Sequence, residues 1–305
     1  MNTDTDIQTE KAVCATACVY GWSEETGVHA LAEAENELAA EGAKAQEACV
    51  SIWIPWSYEK SRLFDMQKRL EKMCRIRGLR IGYIKQGKTT AANLPFVVVT
   101  CTGGRGYSGE LESVERRGSG ASHDTHQCQT GQDIVLTKWA GMSGMLRVAE
   151  EKEAELGQRF APAFINQIQA FQQEIFAGKE IDIARKIGVC RIHQIAGGGI
   201  LAALWELAKE TQTGLEIDMK QISVRQETIE VCENYRLNPY QLISTGSFLM
   251  ISDDGVTLTE ELNENGVHAA VIGHTTEDND KIIHNGEDVR YIDRPAPDEL
   301  NKIFI

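Results

Sequence analysis

"CRIHQIAGGGILAALWELAKE", residues 190–210, sets three consecutive glycines, Gly197, Gly198 and Gly199, between a short apolar run and a helical pattern. Each glycine gives up more backbone freedom on folding than any other residue, so three together need a local geometric reason. Ile200, Leu201, Leu204, Leu207 and Ala208 recur at helical spacing, which predicts a loop feeding a helix N-terminus. Such a terminus carries unpaired N–H groups and the positive end of the helix dipole, and it can hold a phosphate. His193 would then stand beside the anion as a donor when protonated. A second reading is purely steric: the glycines let a strand turn tightly into a helix packed close on a sheet. The stretch alone leaves both readings open.

With 42% hydrophobic and 25% charged residues, the 305-residue chain has the composition of a globular protein long enough for two domains. It contains no run of about 18 apolar residues, and its first thirty lack a basic start followed by an apolar core, so a cytoplasmic location is expected, with neither membrane span nor secretory signal. Eight cysteines (Cys14, Cys18, Cys49, Cys74, Cys101, Cys128, Cys190 and Cys232) follow no framework spacing, which predicts reduced, mostly buried thiols. A net charge of −14 argues against nucleic acid and anionic membranes as partners. The one basic cluster, Lys68 to Arg80, is interleaved with apolar residues and reads as a helix with a solvated face.

Three short patterns fail on context. "GYIKQGKT", residues 82–89, spells a phosphate loop, but its lysine should open a helix and is followed instead by Pro95 and a β-rich run. "GRGYSG", residues 104–109, spells a dinucleotide fingerprint, yet the segment after it has only Leu111 and Val114 with which to pack a helix. "HDTHQC" offers His123, His126 and Cys128 as soft metal ligands but lacks a fourth at metal spacing.

Periodicity predicts β-α-β-α-β over the first hundred residues: "KAVCATACVYG", a helix ending near Gly42, "EACVSIWIP", "SRLFDMQKRLEKMCRIRG" and "LPFVVVTCT". A stretch rich in glycine, serine and charge follows, then "DIVLTKWAG" as a strand, helical periodicity over 144–176 interrupted at Pro162, and a closing strand-helix-strand. The expected organisation is an α/β domain over 1–108, a linker over 109–131 and a second α/β domain over 132–305.

Taken in order, "GQDIVLTKWAGMSG", "HQIAGGGILAALWELA", "IDMKQISVRQETIEVCENYRLNPYQLISTGSFLMIS", "GVHAAVIGHTTE" and "RPAPDELNKIF" resemble the C-terminal domain of the aminoimidazole ribonucleotide (AIR) synthetase superfamily. Its hydrogenase-maturation (HypE) members are the most similar branch. The resemblance implies a two-domain α/β fold, homodimerisation through strands of the first domain, ATP and Mg²⁺ held largely by that domain, and phosphorylation of an amide or carbonyl oxygen. "NELAAEGAKAQ" is similar to the family's Asn-Asp-Leu-Ala-x-x-Gly-Ala-x-Pro helix, with Glu37 in place of the metal-binding aspartate. Counting back from "NLPFVVVT", the family's Gly-Gly-His-Thr-Glu block falls on Tyr83, Ile84, Lys85, Gln86 and Gly87, which implies lost phosphate contacts. About fifty residues that the family carries before the equivalent of Lys11 have no counterpart. The 193–199 loop is similar to the purine-enzyme form that contacts substrate phosphate, and the chain lacks the C-terminal cysteine that accepts a carbamoyl group.

Two function classes follow. One is a degenerate, non-catalytic relative that binds a phosphorylated small molecule or a protein partner, as an assembly or maturation factor. The other is an ATP-dependent enzyme of the superfamily. The expected site residues are His193, Gly197, Gly198 and Gly199 for phosphate or substrate, and Glu37 for metal.

Overall fold

The structure, a computed structural model, describes residues 12–105 and 128–304. It is a mixed α/β fold with two separate sheets among the described residues. The first sheet has the order β1-β4-β2-β3, from Ala12–Tyr20 (β1), Ala43–Ile54 (β2), Arg80–Lys88 (β3) and Phe96–Arg105 (β4). Helices Thr26–Ala40 (α1) and Lys60–Arg77 (α2) cover one face, where Ala17, Val50, Ile52, Val97 and Val99 meet Leu31, Leu38, Met66 and Leu70. Alanines at 30, 32 and 34 are buried along with them, so α1 is enclosed on more sides than a surface helix would be.

The strand β3 departs from the expected β-α-β-α-β pattern. "GYIKQGKT" is an edge strand parallel to β2, where a decayed binding block was expected. Its alternation is broken at Gly82 by a register shift opposite Ala48 and Cys49, and at Gly87, where a Cβ would lie 2.4 Å from the Trp53 ring. The outer face of this sheet carries Cys14, Thr16 and Cys18 from β1, Val98 and Thr100 from β4, Cys49 from β2 and the exposed Tyr83 from β3, with Thr16 and Thr100 bonded across it at 2.9 Å.

The second sheet runs β11-β10-β7-β9-β5-β8-β6. Its strands are Asp133–Thr137 (β5), Arg191–Gln194 (β6), Gly214–Asp218 (β7), Phe248–Ser252 (β8), Ala269–Thr276 (β9), Lys281–Asn285 (β10) and Asp288–Tyr291 (β11). The expected helical stretch becomes three helices, Met142–Glu151 (α3), Glu153–Arg159 (α4) and Pro162–Ala170 (α5), with Pro162 at the first turn of the last. Lys179–Ile187 (α6), Gly199–Thr211 (α7), Gln226–Tyr235 (α8) and Gly255–Glu264 (α9) complete the set. The α7 residues Ile200, Leu204 and Leu207 pack on Ile134, Leu136, Ile217 and Ile251, while α6 and α9 cover Val135, Phe248 and Met250 on the opposite face. Burial on both faces is why "DIVLT" reads as a continuous apolar run.

The two halves are stitched together through α1. The buried Asn36 donates through Nδ2 to the Ile175 carbonyl at 2.8 Å and accepts from the Ala177 N–H at 2.5 Å. Arg77 forks onto Glu35 at 2.6 Å and also reaches the Ala177 carbonyl. One cysteine expectation is corrected: Cys128 and Cys190 are joined in a disulfide, their Cα atoms 5.8 Å apart. They lie 62 residues apart, so sequence spacing could not suggest the pair; the other six are free. No helix among the described residues is long and apolar enough to cross a membrane.

Candidate functional site

The glycine triplet does lead from a strand into a helix, with β6 ending at Gln194 and α7 starting at Gly199. Gly198 and Gly199 have φ of +83° and +67°, which side-chain-bearing residues rarely adopt. A Cβ on Gly199 would also lie 2.6 Å from the Tyr240 carbonyl oxygen. Gly197 has no neighbour within 4 Å of such an atom. Two of the three glycines therefore answer a steric need, and the third leaves open space.

The helix terminus already has an anionic partner from its own chain. The Gly198 N–H donates to Asp298 Oδ2 at 2.7 Å, and the other oxygen of that carboxylate accepts from the Leu300 N–H at 2.8 Å. Burial raises the Asp298 pKa, opposed by these N–H donors and by the Arg147 charge. Asp298 lies a hundred residues from Gly198, and only the fold brings them together.

Around this contact α1, α3, β6 and the C-terminal segment bring together a cluster of polar side chains. Gln194 Nε2 donates to Glu37 Oε2 and to the Glu33 carbonyl, each at 3.2 Å. Burial raises the Glu33 pKa, with Arg147 opposing and Glu37 reinforcing the shift. Arg147, only 7% exposed, donates to the Tyr20 carbonyl at 2.5 Å, and the Tyr20 hydroxyl donates to Asn301 Oδ1. Below them His29 Nε2 lies 2.9 Å from Glu150 Oε2. Glu33, Arg147, Gln194 and Asp298 were not singled out from sequence. Glu33 and Glu37 share a helical spacing and Arg147 interrupts an apolar stripe, signals that were present; Asp298 had none.

His193 is turned to carboxylates. Its Nδ1 lies 3.3 Å from Glu210 Oε2, and its Nε2 is 3.5 Å from Glu206 Oε2, an ionic contact too long for a good hydrogen bond. Burial alone would lower its pKa, but the two glutamates outweigh it and push the imidazole up to about 9. A raised histidine pKa adds stability that is full below the unfolded value near 6.5 and is lost as pH rises through about 9. Because both glutamates are well exposed, the effect is screened to about 1 kcal/mol or less. Urea unfolding of wild type and His193→Gln should therefore differ most at pH 6 and converge only above pH 9; a gap independent of pH contradicts the pairing.

Of the three candidate soft ligands, His123 and His126 lie outside the described residues, and Cys128 is held in the disulfide.

Comparison with known proteins gives the lineage. Residues 129–285 match the family described as AIR synthase related protein, C-terminal domain. A carbamoyl dehydratase HypE from Rhizobium leguminosarum bv. viciae is 29% identical over 90 residues, 28% of this chain and 26% of that protein. The match thus spans about a quarter of the curated relative. The crystal structure of E. coli HypE superposes with a TM-score of 0.71 at 16% identity, covering 96% of this chain and 89% of that one. The HypE of a HypE–HypF complex gives 0.69 at 17%, covering 93% and 90%. At such identities the superpositions speak for the fold, and the match over 129–285 carries the assignment: the chain belongs to the AIR synthase-related family and has a HypE-like fold.

Proposed function

We propose that this protein acts by binding rather than by phosphoryl transfer, as a HypE-like assembly or maturation factor whose ligand is a protein partner. It is organised as units 1–108 and 132–305 joined through 109–131. The observation that carries the reading is the Asp298 carboxylate on the Gly198 N–H, which fills the anion position with the chain's own oxygen. ATP and Mg²⁺, which the family implies, do not fit the residues present. Glu37, the expected metal ligand, accepts from Gln194. Lys85, where the family's histidine falls, lies on the outer sheet face, 5.5 Å from the Trp53 ring. Phosphoryl transfer needs a dense set of backbone donors and positioned charges around the phosphates, and among the described residues the loop offers the Gly198 N–H already bonded to Asp298. The HypE–HypF complex supports a protein as the partner.

A phosphorylated small molecule is the second reading of the same loop. Gly197 has room beside it, and the Asp298 contact is itself an oxygen-anion contact at a helix start. Such a ligand has to displace Asp298. The ATP-dependent enzyme stays as the alternative, favoured by the relative's name, carbamoyl dehydratase.

The reading includes a homodimer through the open face of the first sheet, where Cys14, Thr16, Cys18, Val98, Thr100 and Cys49 form an uncharged patch, with Lys85 and the Arg80–Glu47 pair toward the β3 edge. Light scattering at micromolar concentration should give twice the chain mass, and Thr100→Arg should give the single chain mass. A monomeric wild type contradicts the dimer.

A further inference from the structure

Helix α2 has two chemically different sides. Met66, Leu70 and Cys74, four residues apart, bury its inner side against the first sheet and α1. Three of its arginines are matched by carboxylates of the neighbouring loop and helix: Arg62 by Glu24, Arg69 by Glu24 and Glu25, and Arg77 by Glu35. Lys60, Lys68, Lys72 and Arg75 are exposed, and among the described residues none of these four has a carboxylate at ion-pair distance. Phe64 and Ile76, 64% and 65% exposed, stand among them. At about 3.6 residues per turn, all six positions fall on the half of the helix opposite the buried Met66 and Leu70. The helix supplies only Asp65 and Glu71 as acidic side chains, and Glu71 accepts from Gln67 at 2.6 Å.

We propose that this outer side of α2 docks an acidic segment of a partner protein that carries apolar anchors for Phe64 and Ile76. Charge complementarity identifies the occupant. The chain has 45 acidic against 31 basic residues, so carboxylates were abundant, yet four cations of one helix face are left without one. A molecule of net charge −14 repels an acidic partner over most of its surface and attracts it at such a face, which steers the encounter and fixes its orientation. A single exposed apolar side chain is ordinary, but two large ones framed by unpaired cations combine anchors with a charged surround, as interfaces do. The anchors are twelve residues apart, about 18 Å along the helix, a span that about three helical turns of a partner would cover.

A protein segment fits better than a nucleic acid or an anionic membrane. Neither phosphate backbone nor lipid headgroup offers an apolar counterpart to Phe64 and Ile76. Both also extend their charge well beyond α2, to where the rest of the chain repels them, whereas a short segment meets this face alone. The inference rests on the protein-partner reading above for the class of partner, and it uses neither Asp298 nor the glycine loop.

The test is fluorescence anisotropy of a labelled, glutamate-rich helical peptide with leucines on one face about 18 Å apart, titrated with the full chain. Circular dichroism confirms that each variant is folded. The wild type should bind the peptide at low salt and lose affinity as salt rises from about 0.05 to about 0.5 M, because exposed charges are screened. Lys68→Glu/Lys72→Glu should weaken binding at least about tenfold through charge repulsion, and Phe64→Ser at least about fivefold through loss of an anchor. Lys179→Glu/Lys186→Glu makes the same change of net charge at exposed positions of α6 and should bind as the wild type does. Wild type that does not bind the peptide, α2 variants that bind as wild type does, or an α6 variant as weak as the α2 double variant would each overturn the proposal. So would tighter binding to a DNA duplex or to phosphatidylserine vesicles than to the peptide. Because the readout is peptide binding, its failure is distinct from failure of the binding-factor reading, which falls on ATP turnover.

Discussion

Replacing Lys138 by methionine is expected to cost about 3–5 kcal/mol of folding stability, because it strands a charge in the interior. Lys138 follows β5 with φ of +57°, and its ammonium lies 2.7 Å from Glu180 Oε1. It also donates to the Glu174 and Phe176 carbonyls at 2.7 and 3.1 Å. The two charged side chains are only 6% and 3% exposed, so neither water nor salt can substitute for the lost partner. Glu180 Oε1 has no hydrogen-bond partner of good geometry and depends on the ionic contact. The consequence reaches the other half of the molecule: the 174–180 segment held by Lys138 also supplies the Ile175 carbonyl and Ala177 N–H that grip Asn36. Urea unfolding followed by fluorescence measures the effect. Lys138→Met/Glu180→Leu should recover part of the loss, since removing both charges ends the desolvation penalty. A single variant within about 1 kcal/mol of wild type would show that the pair is not the brace described here.

The parts of this fold that were legible in the sequence are those where burial imposes a period. The helix pattern from Ile200 onward marks α7 to within a residue, because one stripe of it must meet Ile134, Ile217 and Ile251. The strand β3 was illegible for the converse reason. It lies at a sheet edge, a bulge shifts its register, and Gln86 and Lys88 pair in register with the buried Ile52 and Ile54. The β10–β11 hairpin carried a usable cue in "HNGED", where Gly286 takes φ of +68° at the turn, but β11 is exposed throughout and shows no apolar alternation. In the candidate site, the glycine loop stands out by local pattern, whereas Glu37 is marked only by the family resemblance of "NELAAEGAKAQ". The Asp298 contact could not, since it spans a hundred residues, and neither could the turning of His193 onto Glu206 and Glu210, which depends on how β6 and α7 pack.

The Asp298 contact leads to the second large effect. Asp298→Ala frees the Gly198 N–H and removes a carboxylate that repels other anions from the start of α7. The variant should gain phosphate-dependent thermal stabilisation that the wild type lacks, about 2.7 kcal/mol when phosphate is present at a hundred times its dissociation constant. Gly197, with open space around it, is the position at which an alanine should block that gain while leaving the fold unchanged. Equal phosphate response in wild type and Asp298→Ala would mean that the carboxylate does not guard the loop.

The claim that the protein binds without transferring phosphoryl groups is tested most directly by ATP turnover of the purified wild-type chain with Mg²⁺. The account predicts a rate indistinguishable from the protein-free background. Turnover above background that Glu37→Ala abolishes would contradict it.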